Sequence, residues 1–399
     1  MQKTQRLVVV PQEEIGIISP YLHGHFSEHL GECVYPGICV PPDGSIPNTN
    51  GLRNDVIEAL KPLGIPVLRW PGGCFADDYH WRDGIGPVEK RPTRINRFWG
   101  QALEHGAFGT HEFVNFCRAI GAEPYFAGNV GSGTPSELSD WVEYCNFSGD
   151  STLAEERRAN GAQEPFGVRY WGIGNENWGC GGNMTPEEYA GLFNRYRTYV
   201  DNHSGTEVTA IACGQNGNDW KWTRRFFEHM RHNYWNRLSS VGGYAVHYYC
   251  GTAGTATEYS DAQWTELLAK AFAIEGIVTG ARAMMDEYDP ERRIKLLIDE
   301  WGAWHPVEEG RPSSGLYQQN TVRDACVAAL SLDVFHRHAD KIWMANIAQL
   351  INVLQAVLLV EDDKCIKTPT YHVFDLYQPH KGATSVRVES LADVLSDGG

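Results

Sequence analysis

The chain has 399 residues, of which 21% are charged and 42% apolar, the balance of an ordinary globular protein rather than a disordered, collagenous or coiled-coil chain. Its 34 basic and 50 acidic residues leave a net charge of −16, which repels phosphate backbones and anionic lipid, so no nucleic acid and no membrane is expected as partner. Aromatics are plentiful, with 13 Trp and 18 Tyr; such rings suit a core and a sugar face equally well.

The N-terminus, MQKTQRLVVVPQEE, holds only the apolar run Leu7–Val10 before a Pro and two acids, short of the ~7–15 apolar residues of a secretory signal. No stretch reaches the ~18 apolar residues of a membrane span; the longest, around Ile351–Val360, is broken by Asn352 and Gln355. Ten Cys are scattered without a CxxC pair. In a chain without a signal they read as reduced and buried, with a Cys33–Cys39 loop as the weaker alternative. A cytoplasmic location is expected.

Short β-rich runs then alternate with helical patterns. Strand Tyr21–Phe26 brings His25, Glu28 and His29, and helix Asn54–Leu63 follows. Strand Val67–Trp70 runs into Arg69-Trp-Pro-Gly-Gly-Cys74, ahead of helix His111–Ile120. Strand Glu123–Asn129 precedes helix Pro135–Asn146, which opens on Thr134-Pro135, a helix-start signal. Strand Val168–Gly174 delivers Asn175-Glu176 before helix Pro186–Asn202. Strand Glu207–Gly214 precedes helix Asp219–His232. Strand Tyr244–Tyr249 ends in His247-Tyr-Tyr249 and is followed by one long helix, Asp261–Tyr288. Strand Lys295–Trp301 ends in Asp299-Glu300-Trp301, before helix Thr321–Arg337. Strand Lys341–Ile347 stops just short of Gln349, and Thr370–Tyr377 is the last helix.

Eight βα units in succession predict an α/β fold with a parallel sheet closed as a (β/α)8 TIM barrel. A doubly wound open sheet is the runner-up, disfavoured because no GxGxxG follows the first strand. The barrel is read as 18–380. The flanks 1–17 and 381–399 contribute the strand-like runs Leu7–Val10 and Ser385–Val388, which can pair in a small β module.

In a barrel the active site is built at the C-terminal ends of the strands, where this chain gathers polar and acidic residues that would be costly in a core. Glu176 and Glu300 end the fourth and seventh strands, which face each other across a barrel mouth. A carboxyl pair is the apparatus of glycoside hydrolysis. A gap of ~5–5.5 Å gives retention through a covalent intermediate, and ~6.5–9.5 Å leaves room for water and gives inversion. Arg69 can hold Glu300 ionised, Asn175 can bond a sugar hydroxyl, Tyr249 can orient the nucleophile, and Trp99, Trp178 and Trp304 can wall the sugar.

Plainer readings stand beside these. His23, His25 and His29 imitate a metal cluster but lack a helical i, i+4 pair with an adjacent acid, so structural or hydrogen-bonding roles are favoured. Gly72-Gly73 reads as a tight turn rather than a phosphate cradle, because no GK[ST] follows. Trp178 and Trp304 suit the core as well as a sugar, and Glu361-Asp362-Asp363 is a solvated turn.

The segments GHFSEHLG (24–31), RWPGG (69–73), HWRDGIGP (80–87), GIGNENWG (172–179) and IDEWGAW (298–304) resemble glycoside hydrolase family 51, mainly intracellular α-L-arabinofuranosidases. FCRAIGAEPY (116–125), WVEYCN (141–146), AVHYY (245–249), NIAQLINVLQA (346–356) and TPTYHVF (368–374) extend the likeness over most of the chain. The resemblance implies Glu176 as acid/base and Glu300 as nucleophile. It places Glu28, Asn175, Tyr249 and Gln349 on the arabinose ring, Arg69 and His247 in support, and Trp99 and Trp304 on the leaving-group side. Cys74 and His111 depart from it, standing where many members carry Asn, so any sugar contact at Cys74 is weaker or different.

It further implies no cofactor, no metal, and a homo-oligomer, commonly a hexamer. Members usually finish in a β-sandwich, so the two flanks are read as an incomplete remnant of one. The implied function is a retaining, exo-acting α-L-arabinofuranosidase trimming arabinan or arabinoxylan oligosaccharides. A β-xylosidase, an endo-β-glucanase, a non-catalytic sugar-binding barrel and a metal-dependent sugar isomerase are the alternatives.

Overall fold

A computed structural model describes residues 7–232 and 237–390; Met1–Arg6 and the tail beyond Ser390, both within the flanks singled out above, lie outside the described residues. Eight strands close a barrel: β1 (Gly24–Phe26), β2 (Val67–Trp70), β3 (Glu123–Gly128), β4 (Tyr170–Ile173), β5 (Thr209–Asn216), β6 (Gly243–Tyr249), β7 (Lys295–Gly302) and β8 (Met344–Ala348). Neighbours follow chain order, every pair is parallel, and β8 joins β1. The parallel barrel is therefore the observed fold.

Inward side chains fill the lower barrel. Val67, Tyr125, Tyr170, Ile211, Ala245, Leu297 and Met344 pack together, and Tyr21 and Trp343 plug the floor with rings 5.5 Å from that of Tyr170. Outside the strands, Trp70 stacks on Phe113 at 5.0 Å and Phe126 meets Trp141 at 4.7 Å. Rings of this size bury roughly 150–250 Å² each, so this layer glues helices Thr110–Ile120 and Pro135–Asn146 to the barrel. A separate cluster at the C-terminal mouth, including Phe26, Leu30, Leu316, Ala348 and Leu354, supports Trp99, Tyr249 and Trp304.

The helices start where their caps dictate. Thr134 accepts a hydrogen bond from Glu137 N, and Thr185 with Glu188 and Thr321 with Asp324 form reciprocal capping boxes. Such caps are worth about 1 kcal/mol apiece. The stretch read as one helix, Asp261–Tyr288, is two: Asp261–Phe272 and Ile274–Asp286. At Ala273 the chain tightens (ψ −15°), which lets each half serve a different neighbour. The first packs on helix Val322–Arg337 and the second also reaches helix Trp220–His232.

At the chain ends Leu7–Ile17 pairs antiparallel with Thr384–Ser390, leaving Leu7, Val9 and Val388 exposed. No helix among the described residues is long and apolar enough to cross a membrane.

Candidate active site

The two glutamates come together at the barrel mouth. His247, from β6, places Nδ1 2.8 Å from Glu176 Oε1 and 3.6 Å from Glu300 Oε2. One oxygen of each carboxylate lies within 4.8 Å of the other and of the imidazole nitrogen. Gly174, at φ +82°, turns the chain out of β4 just before Asn175-Glu176; a Cβ there would sit 2.1 Å from Asn177 Oδ1, so only glycine fits.

The carboxyls are tuned in opposite directions. Burial raises the pKa of Glu176, and the charge of Glu300 adds to this against the opposing His247 hydrogen bond. Burial would raise Glu300 too. The charges of His247 and Arg69, with hydrogen bonds from Arg69 and Tyr249, outweigh it and hold Glu300 below its usual range. His247, whose burial favours the neutral ring, is nevertheless raised by the charges of Glu300 and Glu176.

Arg69 is the buried hub. It donates Nη1–H to Glu300 Oε1 at 3.0 Å, donates Nη2–H to Asn175 Oδ1, and pairs with Asp299 through Nε at 3.4 Å. Its guanidinium lies 4.6 Å from the Phe26 ring centroid. Asp299 also accepts from Tyr125 Oη at 2.6 Å and Asn346 Nδ2 at 2.7 Å. Tyr249 Oη donates to Glu300 Oε2 at 2.8 Å, so both nucleophile-candidate oxygens are held.

A third carboxylate, Glu28, accepts from Phe75 N (3.1 Å), Trp99 Nε1 (3.0 Å) and Gln349 Nε2 (2.9 Å). Burial, then the nearby charge of Glu300, pushes its pKa up to about 7 in spite of those bonds. Gly73 is required beside it, since a Cβ would lie 2.8 Å from both Glu28 oxygens.

Glu28, Cys74, Trp99, Glu176, Trp178, Tyr249, Glu300, Trp304 and Gln349 all line one cavity of about 180 Å³. Asn175, His247 and Arg69 stand behind it as described. That volume is small beside the roughly 300–1,000 Å³ of drug-sized sites. Trp178 donates Nε1–H to Gly214 O at 3.1 Å, and Trp304 meets Tyr249 edge-on at 5.0 Å. Asn175 Nδ2 and Gln349 Oε1 are buried with no protein partner, a deficit that a polar ligand would remove. A larger cavity of about 450 Å³ lies beside His29, Asp78 and Arg94. It holds neither Glu176 nor Glu300, so the smaller one, where the tuned carboxyls converge, is the chemical site.

His23, His25 and His29 are not brought together. His23 meets His336 at 3.1 Å, His25 packs on Phe374, and His29 bonds Glu104 at 3.0 Å. His111 bonds Tyr144 Oη at 2.7 Å, away from the cavity.

The cysteine expectation is corrected: Cys74 and Cys180 form a disulfide, while Cys33 and Cys39 are free and buried. Cys74 therefore has no thiol to offer a sugar. The partners lie 106 residues apart, and only folding brings the turn after β2 against the loop after Glu176. Asn216, which ends β5 and lines the cavity, was missed because that strand runs two residues beyond Gly214. Asp77 was also missed. Buried, it accepts from Val130 N (2.8 Å), Gly131 N (3.1 Å) and Asn175 N (2.9 Å), tying three strand ends together. Among the described residues, two trios of ligand-type atoms lie within 4.8 Å of one another: Glu176, His247 and Glu300, and Cys74, Glu176 and Cys180, the last with both sulfurs held in the disulfide.

Comparison with known proteins gives one answer. Residues 59–259 match the family model "Alpha-L-arabinofuranosidase 1 domain", and 299–397 match "Alpha-L-arabinofuranosidase C-terminal domain". An intracellular exo-α-L-arabinofuranosidase of Bacteroides ovatus is 46% identical over 99% of this chain and 76% of its own. The crystal structure of the GH51 arabinofuranosidase from Xanthomonas axonopodis pv. citri superposes with a TM-score of 0.94 at 42% identity, over 98% of this chain and 79% of that one. The arabinose complex of the Thermotoga maritima α-L-arabinofuranosidase gives 0.85 at 34%, over 97% and 76%.

Proposed function

Since the chain belongs to glycoside hydrolase family 51, the α-L-arabinofuranosidases, we propose that it removes terminal α-L-arabinofuranosyl residues from arabinan or arabinoxylan oligosaccharides by double displacement with retention. The observation that carries this is the pair Glu176 and Glu300, with oxygens within 4.8 Å and pKa values pushed apart. Oxygens this close favour the short carboxyl separation of retaining glycosidases, ~5–5.5 Å, over the ~6.5–9.5 Å that admits a water for inversion.

Glu300, kept ionised by Arg69 and Tyr249, attacks the anomeric carbon while protonated Glu176 gives its proton to the departing oxygen. Glu176, now a carboxylate, then takes a proton from water as the water attacks the arabinosyl ester. Glu28, Asn175 and Gln349 hold the ring hydroxyls, and Trp99, Trp178 and Trp304 wall it. A cavity sized for one pentose favours exo action. The likeness to the intracellular exo-α-L-arabinofuranosidase of Bacteroides ovatus supports an intracellular setting.

The test is release of nitrophenol from the aryl α-L-arabinofuranoside against the β-xyloside, as a function of pH. We expect turnover of the arabinoside in a bell-shaped kcat/KM profile. Activity falls on the acid side as Glu300 is protonated, and on the alkaline side as Glu176 loses its proton. The alkaline limb is expected to vanish in Glu176→Ala while the acid limb stays. Preference for the xyloside would overturn the glycone assignment, and an unchanged alkaline limb in the variant would remove Glu176 as the acid.

A further inference from the structure

The disulfide touches the chemistry. Cys180 Sγ lies 3.7 Å from Glu176 Oε2, and the two sulfurs and that carboxylate fall within 4.8 Å of one another. From this convergence we propose that the reduced form of the protein carries an inhibitory site for a thiophilic divalent cation of the zinc class, built from Cys74, Cys180 and Glu176.

The loops that carry these groups are held together independently of the disulfide. Asp77, three residues after Cys74, accepts from Asn175 N at 2.9 Å and Asn177 Nδ2 at 3.4 Å. Asn177 Nδ2 in turn donates to Gly181 O at 2.8 Å, next to Cys180. Gly179 N and Gly181 N both donate to Glu176 O, at 2.8 and 3.0 Å. Cleaving the S–S bond leaves this lattice of hydrogen bonds intact, so the thiols stay beside the carboxylate. The Cα atoms are 5.5 Å apart. Tetrahedral zinc at ~2.3 Å from each sulfur needs them only about 3.8 Å from one another, a separation that side-chain rotation supplies.

Two thiolates and one carboxylate form a donor set that favours zinc or cadmium over magnesium or calcium, with a fourth position open to water. His247, bonded to the other oxygen of Glu176 at 2.8 Å, orients the ligating carboxylate from behind. The redox step is a two-electron reduction. A phosphine and one water convert the disulfide to two thiols, the phosphine leaving as its oxide. Cation binding then releases the two thiol protons and the proton that Glu176 carries in the resting enzyme. Once Glu176 ligates the metal it cannot carry the proton for the leaving group, so arabinoside cleavage stops. In the oxidised protein neither sulfur is a thiolate and the site does not exist.

The experiment compares oxidised and phosphine-reduced whole protein, with the reductant removed before the cation is added. Zinc uptake is measured by equilibrium dialysis without substrate, so its failure is distinct from failure of the arabinofuranosidase reading. The reduced protein is expected to take up one zinc more per chain than the oxidised one. With cadmium, only the reduced form should gain ultraviolet thiolate-to-metal absorption. Zinc should abolish the reduced enzyme's arabinosidase rate, with recovery on adding a chelator, and leave the oxidised rate unchanged. Cys180→Ser, judged against its own metal-free rate, should lose the extra zinc. Equal uptake by the two redox forms overturns the proposal. So does extra zinc that persists in Cys180→Ser, which would show that Cys180 is not a ligand.

Discussion

Replacing Glu300 with Ala is expected to lower kcat/KM for an aryl arabinofuranoside by about 10⁴–10⁶-fold, the scale on which removal of a covalent nucleophile is felt. No neighbour can take over. Asp299 is committed to Tyr125, Asn346 and Arg69, and Glu28 is bound on both oxygens and pushed toward its neutral form. Glu300→Gln keeps the shape and serves as the folding control, since an uncharged amide beside Arg69 relaxes only part of the network. Steady-state rates with thermal melts of both variants are the measurement. A folded Glu300→Ala that retains a few per cent of wild-type kcat would sink the nucleophile assignment.

Arg69→Met should harm stability and chemistry together. The guanidinium is buried between Asp299 and Glu300, and removing one partner of a buried ion pair costs about 3–5 kcal/mol, because the other charge is left uncompensated. The sign with pH follows from Glu300, whose pKa in the folded protein is depressed. Its contribution is present above the unfolded carboxylate pKa and is lost as pH falls through the folded value. The stability gap between wild type and Arg69→Met should therefore be widest near neutrality and narrow in acid. Losing the cation also raises the Glu300 pKa, so the acid limb of kcat/KM should move to higher pH. Arg69→Lys keeps the charge but not the fork that reaches Glu300, Asn175 and Asp299 at once, and is expected to fall between. Urea unfolding across pH, with kcat/KM profiles, separates the two effects. A stability loss with an unmoved acid limb would leave Arg69 a purely structural residue.

The barrel was legible because each strand is a short apolar run ending in a polar group. That pattern also located Glu176 and Glu300, whose strands β4 and β7 stand three apart in the closed order, with β5 and β6 between them. Helix Pro135–Asn146 could be read to the residue from Thr134-Pro135, a start signal carried locally. Other features have no local signal. The Cys74–Cys180 bridge spans 106 residues and exists because the loops after β2 and β4, the two barrel neighbours of β3, fold against each other. Helix Thr152–Ala159 buries only Ala154 and Arg157, too little apolar surface to show a period. The hairpin Arg94–Asn96 with Ala102–Glu104, which presents Trp99, is mostly exposed on both strands and so lacks alternation. The break at Ala273 is invisible because alanine favours helix; tertiary packing, not propensity, bends the chain there.

The central claim, a covalent arabinosyl intermediate on Glu300 with Glu176 as acid/base, is tested most directly by the configuration of the products that azide forms with the two alanine variants. In Glu176→Ala, azide should intercept the intermediate and give the α-L-arabinofuranosyl azide, with configuration retained after two inversions. In Glu300→Ala, azide should displace the aryl group once, from the vacated side, and give the β-azide. Proton NMR of the two products reads the anomers. The same anomer from both variants, or the two anomers exchanged between them, would contradict the assignment of roles.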